Sequence, residues 1–479
     1  MTDENRKKPT LAISLIPVAI LIAMLGYCIF GLGLDLDTGG SHIPLILGAA
    51  VASMVASYLG FPWREIQTHL IKGITLALGA ILILMTIGIL IGTWMQSGIV
   101  PAMIFYGLQL ISPAVFLVTT CVICAIVSLS TGSSWSTAGT VGVALIGIGE
   151  GLGVSLPMTA GAIISGAYFG DKMSPLSDST NLSPAVAGAE LFDHVQYMVY
   201  TALPAYILAL VLYGVLGFSA HTGSIEGSQV EVIRSALGEN FNLSPILLLP
   251  PLLIILAVAF RIPALPALVG GALLGGLMAL WVQGSSLQLV MEAAQSGYQS
   301  NTGNLRVDKL LTRGGLESMM STVALVLCAL TFGGIMERTG LLRRLAGAIL
   351  SKAHSTGSLV LATLGSCIGT NIIAPDQYMS IVVPGRMYRE TFEDRGLAPV
   401  NLSRALESGG TLSSPLVPWN TCGAFMSTTL MVSAADYFPY AFVNLITPVI
   451  VVIVSYAGFR IARLPDASLE VAPEQPSEA

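Results

Sequence analysis

The sequence is poor in charge. Only 10% of its 479 residues are Asp, Glu, Lys or Arg, and 54% are hydrophobic, whereas about 25% of the residues in a soluble domain are charged. So few charges cannot cover a folded chain of this size with a surface that water solvates. The mean hydropathy of +0.79 agrees, and the chain is therefore expected to face lipid.

Several functional classes lack their defining residues. The formal net charge is -6, and no basic stripe with interleaved aromatic residues indicates a nucleic-acid partner. None of the five histidines begins an H-E-x-x-H zinc-protease motif. A G-x-G-D aspartyl-protease signature fails as well, because Tyr168 occupies the position of its first glycine before Gly170 and Asp171. We therefore expect neither an enzyme nor a cofactor.

Cysteine is scarce, and its six positions lie in apolar or loop segments. Cys121 and Cys124 form a C-x-x-C, but neither a second pair nor a histidine lies near them, so small apolar filler is favoured over metal binding. Disulfides are not expected among Cys28, Cys121, Cys124, Cys328, Cys367 and Cys422.

Long apolar runs determine the fold class. In lipid only helices and closed barrels satisfy their own backbone hydrogen bonds, and uninterrupted apolar runs exclude the alternating pattern of a barrel. We predict an all-α polytopic membrane protein with about 11 to 13 spans plus re-entrant segments. The clearest runs are 11–34, 43–59, 71–93, 113–129, 197–218, 245–260, 263–281, 319–336, 359–373 and 438–459.

The loop charges predict an orientation. Arg6, Lys7 and Lys8 precede the first span, and acidic residues follow it, so the positive-inside rule places the N-terminus in the cytoplasm. The first span is long and shows no cleavage site, which favours a retained helix over a signal peptide. Arginines near the C-terminus indicate a cytoplasmic end there too, whereas the basic residues of 306–313 disagree, because they would lie outside.

Two similar segments suggest an internal duplication. Residues 170–176 (GDKMSPL) and 410–416 (GTLSSPL) share Gly, Ser, Pro and Leu, and 131–134 (TGSS) resembles 368–371 (IGTN) at a similar spacing. Chance recurrence of small residues is the alternative. If the acidic central loop lies outside, the first half crosses the membrane an odd number of times and the second half starts in the opposite orientation, so the halves would be inverted repeats. The predicted divisions are a cytoplasmic N-terminus 1–10, repeats 11–218 and 244–461, an extracytoplasmic linker 219–243 and a disordered cytoplasmic tail 462–479.

Four polar, helix-breaking stretches interrupt the apolar background, at 128–140, 170–184, 365–376 and 408–423. Unwound backbone at membrane depth is tolerated only where protein or a water-filled cavity satisfies it, and paired breaks in two halves indicate a binding site. A carboxylate at the bilayer centre costs about 2.5 to 3.5 kcal/mol, which makes it a functional candidate. The candidates are Asp171, Asp178, Asp376 and Glu407.

Hydroxyls and amides surround these acids, and such oxygen-rich surroundings suit a hard alkali cation. A buried carboxylate favours its neutral form and a bound cation favours the charged form, so one group that holds either H+ or Na+ is sufficient for exchange. Alternatives are an ion pair of Asp171 with Lys172, a helix-surface pair of Glu407 with Arg404, and hydroxyls bonded to their own helix. The further predicted ion ligands are Ser133, Ser134, Thr137, Ser174, Thr180, Asn181, Thr370, Asn371, Ser414, Asn420 and Thr421.

Residues 132–140 (GSSWSTAGT) and 160–182 (AGAIISGAYFGDKMSPLSDSTNL) resemble the NhaC-type Na+/H+ antiporter family of the ion transporter superfamily, with 369–371 and 418–421 as second-half counterparts. The resemblance implies two inverted repeats, a bacterial inner membrane, and Na+ and H+ as transported ions. It also implies site roles for Asp171, Asp178, Thr180 and Asn181, which stand inside the matching motif.

Two other functions stay open at this point. The family also contains relatives that resemble exchangers of malate for lactate, so a small carboxylate is an alternative substrate. Lys172, Arg386 or Arg389 would form the ion pair with it. The two arginines, however, lie in a charged segment that favours a cytoplasmic surface. A channel would also use rings of oxygen ligands, although paired breaks favour a carrier. A homodimer is compatible with either.

Overall fold

The structure is a computed structural model that describes residues 6–34, 40–220 and 227–464. The described residues form helices and no strands; their only β contacts are isolated bridges between Tyr298 and Arg313 and between Leu397 and Arg463. The predicted all-α polytopic fold is confirmed. The acidic residues Asp35 and Asp37, part of the central loop and most of the predicted C-terminal tail lie outside the described ranges.

Among the described residues, the first half of the chain contains twelve α-helices. They are α1 (Leu11–Gly26), α2 (His42–Tyr58), α3 (Trp63–Leu76), α4 (Leu78–Gln96), α5 (Ile99–Leu110), α6 (Pro113–Thr131), α7 (Ser134–Thr137), α8 (Val143–Gly151), α9 (Leu156–Met173), α10 (Asp178–Ala187), α11 (Leu191–Ala220) and α12 (Gly227–Asn240). A π turn, Ala138–Gly142, joins α7 to α8.

The second half contains another twelve. They are α13 (Leu249–Ala259), α14 (Ala264–Trp281), α15 (Leu287–Ser296), α16 (Leu305–Leu311), α17 (Met320–Arg338), α18 (Leu341–Leu350), α19 (Thr356–Ile373), α20 (Gln377–Asp394), α21 (Pro399–Leu406), α22 (Thr421–Leu430), α23 (Ala434–Tyr437) and α24 (Phe442–Tyr456). A further π turn, Glu407–Thr411, continues α21, and another, Tyr27–Gly31, follows α1.

Fewer long helices are present than the sequence predicted. Seven helices among the described residues are long and apolar enough to cross a membrane, or nine if two bent helix pairs each count as one span. The expected 11 to 13 exceeds this count because several apolar stretches fold as short helices. The run 71–93, for example, is divided between α3 and α4, and α3 is amphipathic, with Arg6 bonded to its Glu65 at 2.7 Å.

Helices α6 and α9 pack against each other backbone to backbone. Gly166 of α9 faces α6 so closely that a Cβ atom there would lie 2.2 Å from the carbonyl oxygen of Cys121 and 2.9 Å from Cβ of Cys124. These buried cysteines therefore serve as small filler in a tight helix contact. The contact brings the C-terminal ends of both helices side by side, where the chain breaks.

The same order of breaks occurs in both halves. In the first half α6 breaks before α7, and α9 breaks before α10; in the second half α19 breaks before α20, and α21 with its π turn breaks before α22. These four breaks coincide with the four polar stretches of the sequence. The inverted relation of the halves and the domain boundaries stay predictions, although α12 lies within the segment predicted as a linker.

The contact at Gly166 generates a stability prediction. Gly166→Ala should push α9 away from α6 and lower stability by about 1–3 kcal/mol, the usual cost of overpacking. Gly365→Ala is the matched control, since a Cβ at this helical position meets nothing within 4 Å. Thermal unfolding of the purified proteins in one detergent measures both. A Gly166→Ala protein as stable as its parent contradicts the proposed backbone contact.

Candidate ion-binding site

A single cavity of about 840 Å³ is lined by all four broken-helix starts. The N-terminal ends of α7, α10, α20 and α22 reach it together, two from each half. Its other wall comes from α4 and from the connection between α13 and α14. The lining residues at the four helix starts are Ser133, Ser134, Trp135, Ser177, Asp178, Ser179, Asp376, Gln377, Tyr378, Thr421 and Cys422.

Each of the four helices begins at a side-chain cap. A helix N-terminus carries about +0.5 of an elementary charge, so four of them at one cavity favour negative charge there. The caps are Ser133, which accepts from the N–H of Ser136 at 3.1 Å, Ser177 (Thr180, 3.4 Å), Asp376 (Met379, 3.0 Å) and Asn420 (Cys422, 3.0 Å).

Three of the four predicted acids line the cavity. Asp171 and Asp376 are each 6% exposed, and Asp178 is exposed at the first position of α10. Oδ2 of Asp171 accepts from the N–H of Ser134 at 3.1 Å and from its hydroxyl at 2.7 Å. This carboxylate therefore ties the end of α9 to the start of α7 and still borders the cavity.

The prediction that Asp178 is a buried carboxylate is wrong. The capping side chain of Ser177 ends the preceding loop and starts α10, which turns the next residue, Asp178, toward the open cavity. Asn371 and Asn420 lie behind the cavity wall instead. Nδ2 of Asn420 donates to Oδ1 of Asn371 at 3.0 Å, and Nδ2 of Asn371 donates to the carbonyl of Gly410 at 2.7 Å. The amide pair braces the two second-half breaks.

Several predicted ligands instead bond backbone carbonyls of their own or a neighbouring segment. Ser133, Ser134 and Thr421 line the cavity, whereas Ser414 donates to Oε1 of Gln377 at 3.2 Å. The backbone-bonded side chains are Thr137 (to Ser133, 2.9 Å), Ser174 (to Leu129, 2.8 Å), Thr180 (to Asp171 and Lys172, 3.1 Å each), Asn181 (to Pro175, 2.9 Å) and Thr370 (to Ser366, 2.7 Å).

Glu407 belongs to a buried network beside the cavity rather than to its lining. Its two carboxylate oxygens accept from the hydroxyls of Ser179 at 3.0 Å and Ser183 at 2.5 Å. Nearby, the ammonium of Lys172 donates to the hydroxyl of Ser408 at 2.8 Å. Both contacts join the first half of the chain to the π turn of the second half.

Neither ion pair considered from the sequence, Asp171 with Lys172 or Glu407 with Arg404, forms in the part of the chain that the structure describes. Lys172 bonds Ser408 and not the adjacent Asp171. The guanidinium of Arg404 lies over the ring of Tyr197, 4.5 Å from its centroid, and not beside Glu407. Asp171 is therefore held by the hydroxyl and the N–H of Ser134, and Glu407 by the hydroxyls of Ser179 and Ser183, while Lys172 also attracts Glu407 electrostatically.

Sequence reasoning missed several cavity residues. Trp135, Gln377, Tyr378 and Cys422 stand one or two positions after a cap or an expected ligand, so their place in the first turn of a broken helix was a usable signal. Arg261, on the opposite wall, has a left-handed backbone with φ of 67°. No sequence pattern connected this residue with the four breaks.

A polytopic helical protein whose halves each contribute broken helices to one acid-lined cavity has the architecture of a secondary transporter. A family model described as the Na+/H+ antiporter family matches residues 166–459. Together with relatives that are similar over nearly the whole chain, this match shows that the protein belongs to the Na+/H+ antiporter family.

Three relatives illustrate the range of that similarity. The Na(+)/H(+) antiporter NhaC of Alkalihalophilus pseudofirmus is 39% identical, with 95% of this chain and 98% of the relative covered. The Malate-2H(+)/Na(+)-lactate antiporter of Bacillus subtilis is 36% identical, with 94% of this chain and 95% of the relative covered. The Arginine/ornithine antiporter ArcD of Halobacterium salinarum is 39% identical over 95% and 94%.

Proposed function

We propose that this protein exchanges Na+ for H+ across a bacterial inner membrane. The observation that carries the proposal is the convergence of Asp171, Asp178 and Asp376 on one cavity formed by broken helices of both halves. Carboxylate, hydroxyl and carbonyl oxygens are the ligands that hard cations prefer. Family membership and an NhaC relative of nearly equal length support the same function.

Exchange follows from competition at the buried carboxylates. Oδ2 of Asp171 is fixed by Ser134, so this carboxyl is held in one orientation at the edge of the cavity. Asp376 is likewise fixed through Oδ1, by the N–H of Met379. A carboxyl oriented in this way holds Na+ when ionised and gives up the ion when it is protonated. Asp178, solvated in the cavity, attracts the cation toward the two buried acids.

The rest of the transport cycle is inferred from the chain's organisation. Alternating access requires the part that carries the site to move against a supporting part. The inverted repeats and cytoplasmic termini inferred from the sequence belong to this proposal. They are supported by the matched order of breaks in the two halves and by the basic residues Arg6, Lys7 and Lys8 before the first span.

Removal of one carboxylate charge tests the site. Asp171→Asn and Asp376→Asn should each abolish Na+-dependent proton movement in everted vesicles while protein abundance stays near that of the parent, because a neutral amide cannot alternate between H+ and Na+. Asp178→Asn should retain exchange with an apparent Na+ affinity weakened on the order of 10- to 100-fold, the loss of one charged contact.

Asp394→Asn is the matched control, because Asp394 is exposed at the opposite end of the helix that begins after Asp376. It should exchange like the parent. Normal exchange by Asp171→Asn or Asp376→Asn removes that acid from the mechanism. Na+ flux without any proton movement in the parent protein identifies a channel instead.

The competition also determines the pH dependence. Protons occupy the carboxylates at low pH, so the apparent Na+ affinity should rise as the pH rises through the range in which the site deprotonates. Exchange rates in proteoliposomes, measured against Na+ concentration at a series of pH values, give this affinity. An affinity that stays constant from acidic to alkaline pH excludes direct competition.

A small carboxylate is the second candidate substrate, and the size of the cavity favours it. A volume of about 840 Å³ far exceeds the space of one cation. Four helix N-termini and Arg261 on the opposite wall provide positive charge for a carboxylate. Relatives named for malate, lactate, arginine and ornithine show how substrates vary within this similarity range.

Labelled malate or lactate, loaded into proteoliposomes, separates the two substrates. For Na+/H+ exchange alone, we expect an outward Na+ gradient to move protons equally well with and without malate and lactate, and no labelled acid to leave the vesicles. Countertransport of malate for lactate that requires Na+ would assign the carboxylate function. Exchange of labelled arginine for ornithine, measured under the same conditions, tests whether the substrates are amino acids.

A further inference from the structure

A second cavity of about 310 Å³ lies at the other end of α22 from the candidate ion site. Thr421 and Cys422 at the start of α22 line the first cavity, whereas Thr428 and Thr429 near its end line the second. Ten helical residues separate such ends by about 15 Å. The second cavity is therefore distinct from the carboxylate cavity, and none of the predicted ion ligands lines it.

An arginine with two unpartnered guanidinium nitrogens lines this second cavity. Nε and Nη1 of Arg313 are buried and have no hydrogen-bond partner among the described residues. The hydroxyl of Thr429, a side chain that is 2% exposed, is also buried without a partner. Glu150 is the carboxylate that acts electrostatically on Arg313, but these two residues form no ion pair. Buried donors of this kind are costly unless a ligand satisfies them.

The loop that carries Arg313 is fixed in place. A Cβ atom at Gly314 would lie 2.3 Å from the backbone nitrogen of Gly92 in α4, and Gly315 donates its N–H to the carbonyl of Gly88 at 2.7 Å. Tyr298 donates its N–H to the carbonyl of Arg313 at 3.2 Å. These contacts fix the position of the Arg313 backbone beside the cavity.

The remaining lining determines which anion fits. A permanently charged guanidinium requires one negative charge. Ile91, Met319 and Met431 add an apolar surface beside the hydroxyl of Thr429. A volume near 310 Å³ is at the lower end of small-molecule sites. The lining also contains the polar side chains of Ser296, Gln299, Thr312, Ser318 and Thr428. One cation, hydroxyl groups and a limited apolar surface suit a short organic acid better than a halide, which has no apolar part, or a phosphate, which carries more charge.

We infer that the Arg313 cavity binds a small monocarboxylate, with the guanidinium of Arg313 and the hydroxyl of Thr429 as its two polar contacts. This site goes beyond Na+/H+ exchange, and it exists whether or not the carboxylate is transported. It also accounts for one basic residue of the segment that disagreed with the predicted orientation, because Arg313 lines a cavity rather than a surface facing the cytoplasm.

Thermal unfolding of the full-length protein in detergent tests the site, with sodium lactate or sodium acetate compared with sodium chloride at equal Na+ and pH. The carboxylates should stabilise the parent protein more than chloride does. Arg313→Gln should weaken the apparent affinity by roughly 10- to 100-fold, since a hydrogen bond between charged groups is lost. Thr429→Val, a smaller change, should weaken it by up to about tenfold.

Lys309→Gln is the matched control for charge, because Lys309 is exposed on the neighbouring α16; it should bind lactate like the parent. Asp376→Asn should also retain lactate binding, which separates this site from the first cavity. Equal stabilisation by chloride overturns the carboxylate assignment. Unchanged lactate affinity in Arg313→Gln overturns the site, and where that variant does not fold, unchanged affinity in Thr429→Val does so.

Discussion

Every other feature of the site depends on one constraint, which is that unwound backbone inside a membrane protein must find its hydrogen bonds within the protein. Four helices end in the interior of this molecule, and each new helix begins at a capping side chain. The caps satisfy N–H groups that lipid would leave unpaired. Because the four starts meet, their dipoles also create a place where carboxylates are stable at low exposure.

The general architecture could be predicted from composition and breaks, while the roles of single side chains could not. Apolar runs identified an all-helical membrane fold, and the polar stretches marked all four breaks, because both signals are local in sequence. The hydroxyl of Thr180 could bind an ion or a backbone carbonyl. Which of the two it does depends on where the fold places Asp171 and Lys172, whose carbonyls it bonds at 3.1 Å. Asp178 was expected to be buried for the same lack of tertiary information.

The number of helices long and apolar enough to span a membrane, seven to nine among the described residues, is below the predicted 11 to 13 spans for a physical reason as well. A run of apolar residues reports transfer to lipid, but it does not report where a helix bends or is shared between two short elements. Helix α3 illustrates this point, since it is amphipathic and ends at Leu76, inside a run that was assigned to one span. The positions of Arg261 and Arg313 at cavities were not predicted, because the residues around each arginine are distant from it in sequence.

The bonds between the two halves have a mechanical consequence. Ser179 and Ser183 hold Glu407, and Lys172 holds Ser408, so the first-half helix α10 and the second-half π turn are fastened together. The segments that carry the acids thus form a single stiff block composed of both halves. The other wall of the cavity, where α4 and the α13–α14 connection present Gly79, Ala80 and Arg261, takes no part in these bonds, and the proposed alternating access would use it as the sliding surface.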